Sequence, residues 1–149
     1  MDDARLRNAR QFFEAIPHSR ALSVELTHIG NGEATLTMPY DAKLVGDPET
    51  GVVFGGVIST LMDTCGGAAV MSHPTGPTST ATLDLRIDYM RAATPGQMVT
   101  AHAVCYRMTR SAAFVRATAT DDDTDNPVAQ ATGVFAITGV ASSKAEDAS

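Results

Sequence analysis

The chain has 149 residues, 44% of them hydrophobic, which is enough to bury the core of one domain. A formal net charge of -6, a pI near 5.0 and scattered Lys and Arg residues exclude the basic footprint that binding a nucleic-acid backbone requires. Two cysteines make no disulfide framework, four histidines show no metal-ligand spacing, and no apolar run reaches the length of a membrane span.

Free thiols, no metal and no membrane association are therefore expected. The N-terminus, Met1 to Arg5, opens on acids and lacks the apolar segment of a signal peptide, so a cytoplasmic location is expected as well. Leu6, Ala9, Phe12, Phe13 and Ile16 recur at helical spacing and predict a helix over residues 4–16, ended by Pro17. Leu22, Val24, Leu26 and Ile29 alternate roughly, as do Ala34, Leu36 and Met38, and the turn Gly30-Asn31-Gly32 joins them into a β-hairpin. The stretch from Pro39 to Phe54 reads as an irregular loop, with turn residues from Gly46 to Gly51.

From Gly55 to Met71 the residues are apolar on nearly all sides, which predicts a buried central helix over 55–71. Gly66 and Gly67 inside it imply close packing of its backbone against another element. Four strands follow, over 81–89, 98–107, 112–120 and 128–137. In the first, Ala81, Leu83, Leu85, Ile87 and Tyr89 are expected on one face. The acidic run Asp121, Asp122, Asp123 and Asp125 reads as a solvated hairpin loop, and the polar residues 140–149 as a disordered tail. The expectation is a single α+β domain over 1–139, in which a curved antiparallel sheet wraps around one long central helix.

Asp63 is the one formally charged residue between Glu49 and Asp84, and it falls in the middle of that apolar helix. A carboxylate without water or partners costs several kcal/mol, so it persists where it is paired, hydrogen-bonded, exposed or used. At the start of the same helix stands Phe54-Gly55-Gly56. A helix N-terminus carries unpaired N–H groups and partial positive charge, so Gly55 and Gly56 could hold a developing oxyanion, as acyl transfer to a carboxylate-activated nucleophile requires. Plainer explanations stand beside these: an Asp on an exposed stripe, and a tight loop-to-helix turn. Gly55 and Asp63 lie eight residues apart, about 12 Å along a helix, too far to serve one carbonyl. Two antiparallel helices across a two-fold axis would bring Gly55 of one subunit to Asp63 of the other, so a composite site in a homodimer is expected. Cys65, two positions on, points to another side of the helix and reads as core.

The segments GDPETGVVFGGVISTLMD (46–63) and TLDLRIDYMR (82–91), with Pro95-Gly96, make the chain similar to the PaaI-like hotdog-fold acyl-CoA thioesterases, from about Leu22 to Ile137. The resemblance implies a six-stranded hotdog fold, hydrolysis of acyl-CoA thioesters without cofactor or metal, and homodimers that pair into dimers of dimers. By position it implies that Asp63 is base or nucleophile, that the Gly55 N–H polarises the thioester carbonyl, and that Thr82 orients the attacking water. It also implies that Arg110 and Ser111 touch the CoA phosphates. Two positions depart from the family pattern: Phe54 stands for its usual His, and Asp47 for an Asn of the preceding loop. Phe54 cannot hydrogen-bond a substrate, and a second acid near Asp63 would raise the pKa of one of the two. A non-catalytic binder of acyl-CoA or aromatic ligands, and a hotdog hydratase or dehydratase, are the alternatives.

Overall fold

The computed structural model of the protein describes residues 3–140. Helix α1, Asp3–Ala15, turns its Leu6, Ala9 and Phe13 face onto the core. α1 stops before Pro17, which then opens the short helix α2, Pro17–Ala21, at the first helical position, where its missing N–H costs nothing. Strand β1 accordingly starts late, at Glu25–Gly30, and is joined to β2, Glu33–Met38, by a two-residue turn. Asn31 and Gly32 both have positive φ there, 53° and 80°, the conformation such a turn demands. The Arg10 guanidinium donates to the Leu26 carbonyl at 2.8 Å, so α1 covers part of the β1 edge.

Residues 39–54 are more regular than expected. A 3-10 turn at Ala42–Leu44 leads into a separate small hairpin, β3 (Val45–Asp47) and β4 (Val52–Val53). Helix α3 then runs Gly55–Met71, as predicted, followed by β5 (Pro77–Tyr89), β6 (Val99–Met108), β7 (Ala112–Thr120) and β8 (Ala129–Val140). The main sheet is antiparallel, in the order β1-β2-β6-β7-β8-β5. Every one of its six strands touches α3, so the sheet curls around the helix. Residue 140, expected to open the tail over 140–149, is instead the last residue of β8, and the remaining residues of that tail, 141–149, lie outside the described residues.

The helix is buried on one side only. Ile58, Leu61, Met62, Cys65, Ala69 and Val70 face the sheet, whereas Gly56, Ser59, Thr60, Asp63, Thr64 and Gly67 form a half-buried opposite face. The three hydroxyl residues satisfy themselves on carbonyls three or four residues back, which removes the cost of their polarity. Of the two internal glycines, Gly66 meets the expectation of close packing: a Cβ there would lie 2.8 Å from Cζ of Phe135. Gly67 does not, because a Cβ would project into open space.

In the acidic run Asp122, Asp123 and Asp125 are exposed in the turn, and only Asp121 departs from the expected solvated loop. Asp121 is buried and receives two bonds from the Arg91 guanidinium, at 2.6 and 2.7 Å, and a third from the Thr94 N–H at 3.0 Å. Arg91 holds this carboxyl far below the usual carboxylate range, and the pair ties the 91–94 segment after β5 to the β7–β8 turn. Among the described residues no helix is long and apolar enough to cross a membrane.

Candidate active site

Asp63 sits on the open face of α3 and reaches across to β5, where the Thr82 hydroxyl donates to its Oδ1 at 2.7 Å. The local cause is a β-bulge. The register passes from Thr82 opposite Phe135 to Asp84 opposite Val134, leaving Leu83 as the extra residue. Thr82 before the bulge and Leu85 and Ile87 after it therefore share the face toward the helix. The simple alternation expected for this strand fails at Leu83, which is 65% exposed. The other oxygen of Asp63 has no hydrogen-bond partner among the described residues, and the carboxylate has no ion pair there. It is thus oriented by one hydroxyl and open on its other side. It also lines a cleft of about 300 Å³, between α1, the second half of α3 and the first half of β5.

At the start of α3, Phe54 is the N-cap and is 63% exposed. Its ring lies over Gly56, where a Cβ would fall 2.6 Å from Cε1 of Phe54, and a Cβ at Gly46 would fall 2.9 Å from the Phe54 Cα, so the Phe54 backbone requires Gly46 whereas the exposed ring can swing away from a Cβ at Gly56. The Tyr89 hydroxyl donates to the Gly55 carbonyl at 3.0 Å, fixing the helix start against the end of β5. Sequence reasoning missed this role. Tyr89 stood there only as an alternating apolar residue, and nothing local signals a contact with a residue 34 positions away.

Asp47 lies in the neighbouring loop, but its carboxylate serves its own turn. Oδ1 accepts from the Glu49 N–H at 3.0 Å and Oδ2 from the Thr50 hydroxyl at 2.8 Å. The Thr50 bond, with help from the Glu49 N–H, lowers its pKa. The Tyr40 hydroxyl pins the end of this loop by donating to the Gly51 carbonyl at 2.7 Å. Arg110 and Ser111 are exposed at the β6–β7 turn, and the Ser111 carbonyl accepts from the Ile137 N–H. Ile137 pairs with Thr80, so this turn lies at the sheet end where α3 finishes, away from Gly55.

One protomer therefore assembles the site residues in three groups: Asp63 with Thr82, Phe54 with Gly55 and Gly56, and Arg110 with Ser111. Cys65 faces the sheet, its Sγ 3.3 and 3.4 Å from the Ala34 and Ala101 carbonyls, and burial pushes its thiol up to about 12, too high for a nucleophile. Among the described residues no group of three or more His, Cys, Asp or Glu could hold a metal.

Residues 50–128 match the family model described as the thioesterase superfamily. The chain is 41% identical over 75 residues to a candidate esterase of Halobacterium salinarum, a match covering 48% of this chain and 50% of that protein, so the chain spans about half the length of that curated relative. A crystal structure of a Pseudomonas aeruginosa protein is similar at 40% identity and a TM-score of 0.78, over 88% of this chain and 97% of that one. A variant of the phenylacetic acid degradation protein PaaI from Thermus thermophilus is similar at 26% identity and a TM-score of 0.72, over 81% of this chain and 98% of that one.

Proposed function

This chain belongs to the thioesterase superfamily, in its PaaI-like hotdog branch, and from that membership we infer that it hydrolyses acyl-CoA thioesters to the free acid and CoA. The observation that carries this reading is the Asp63 carboxylate, oriented by Thr82 through one oxygen, open at the other, and set at a cleft. As general base it takes a proton from water while the water oxygen attacks the thioester carbon. As nucleophile it attacks that carbon itself and water later cleaves the acyl-enzyme. In either case the C–S bond breaks, the CoA thiolate takes up a proton, and the carbonyl oxygen passes through an oxyanion that needs N–H donors.

Those donors are the Gly55 and Gly56 amides of the partner subunit, because within one protomer Gly55 is about 12 Å along the helix from Asp63. Support for a homodimer comes from β5, which ends the sheet order and leaves Leu83, Tyr89 and Met90 more than half exposed on or beside an edge with no outer strand among the described residues. Pairing of two such dimers, and a cytoplasmic location, go with the same reading. Arg110 and Ser111 receive the CoA phosphates, Phe54 borders the thioester, and Asp47 acts by holding the shape of the loop against which Phe54 packs.

Asp63→Asn is the test, assayed on aromatic, short-chain and long-chain acyl-CoAs. Turnover on the best substrate is expected to fall by about a hundred-fold or more. Wild-type rates in the variant would reject the mechanism.

A further inference from the structure

We propose that the acyl group runs from Asp63 beneath α1 into a second, larger chamber, and that Phe12 is the gate that sets how long an acyl group is accepted. The proposal rests on the hydrolase reading above, since it takes Asp63 as the point of bond cleavage.

The cleft at Asp63, about 300 Å³, is bordered by Gly67, Thr82 and Phe135. A second cavity, about 640 Å³ and open to solvent on one side, lies between α1 and the β1–β2 turn, with Ala9 and Ile29 in its wall beside the polar Asn31, Glu33 and Ser72 and the exposed His28 at its rim. Phe12, Phe13 and Met71 line both, so the two meet at these three side chains. Phe13 is fixed in the core at 8% exposure, whereas Phe12 is 64% exposed and stands edge-on to it, with ring centroids 5.3 Å apart. Of the two rings, Phe12 is the one free to change rotamer.

The path along α3 is open. Asp63, Gly67 and Met71 follow one another at four-residue intervals and so stack on one helix face, and nothing occupies the space where a Gly67 side chain would project. From Asp63 to Met71 is about 12 Å of helix, the reach of an extended acyl chain of about ten carbons. Acyl groups beyond about ten carbons have to pass Phe12. The substrate class assigned is therefore acyl-CoA of medium to long chain, with the larger chamber receiving the distal carbons.

The experiment compares wild type, Phe12→Ala and Phe12→Trp on saturated acyl-CoAs of four, eight, twelve and sixteen carbons. It also measures binding of the matching S-alkyl-CoA thioethers, which cannot be hydrolysed. Phe12→Ala is expected to raise the ratio of kcat/KM for the sixteen-carbon over the four-carbon substrate by about ten-fold, and Phe12→Trp to lower it. The thioethers should follow the same order in affinity. An identical chain-length profile in all three proteins overturns the gate. If no thioester is turned over by the wild type, the hydrolase reading fails on its own and the thioethers decide the chamber. Tighter binding of the dodecyl than the butyl compound, altered at Phe12, upholds the chamber, and equal binding overturns it.

Discussion

Gly55 is the first residue of α3, and its functional atom in the proposed reaction is its N–H. Proline at this helical position keeps φ suitable and deletes that hydrogen. The preceding Phe54 already has the extended backbone, φ -62° and ψ 134°, that a following proline favours, and a Cβ at Gly55 would meet Tyr89 at an ordinary 3.5 Å. Gly55→Pro should therefore keep the far-UV circular dichroism and thermal midpoint close to wild type while lowering kcat by roughly 10²–10³-fold. A kcat close to wild type would remove the amide from the mechanism. Asp63 and Cys65 make the same point about direction. Two positions apart, one looks to the open face and the other into the sheet, so the carboxylate remains available and the thiol is inert.

Within α3, Gly66 and Gly67 are adjacent in sequence and opposite in packing. Gly66→Ala drives a methyl group to 2.8 Å from the Phe135 ring and should destabilise by about 1–3 kcal/mol in chemical denaturation. Gly67→Ala meets nothing and removes glycine's backbone entropy from a helix interior, so it should stabilise by about 0.5–1 kcal/mol. The β7–β8 turn carries a pH dependence. Arg91 depresses the folded pKa of Asp121, so the pair's contribution is complete above the ordinary carboxylate pKa near 4 and is lost as pH falls below it toward the folded value. Asp121→Asn leaves Arg91 partly solvated and should cost about 2 kcal/mol at neutral pH. The gap from wild type should narrow in thermal melts below pH 4, and a constant gap would mean that the pair is not the cause.

For the whole molecule, a site shared between two subunits predicts complementation. Asp63→Asn and Gly55→Pro dimers should each be nearly inactive, whereas the heterodimer of the two has one site with both intact groups. Co-expression and purification of the heterodimer should restore about half of the wild-type kcat per dimer. Failure to rise above the parents would place the whole site in one chain.

The sequence by itself determined the helix over Gly55–Met71, the number of main strands and the isolation of Asp63, because hydrophobic periodicity and a lone acid are local signals. Only the tertiary structure decided that Thr82 rather than Leu83 faces the helix, since a bulge follows from the pairing of β5 with β8. In the same way Asp121 became a buried partner of Arg91, Tyr89 reached Gly55, and Gly67 parted from Gly66. Each of these depends on what stands opposite in space, and residues 30 or more positions apart in the chain carry no mutual signal that composition or period can reveal.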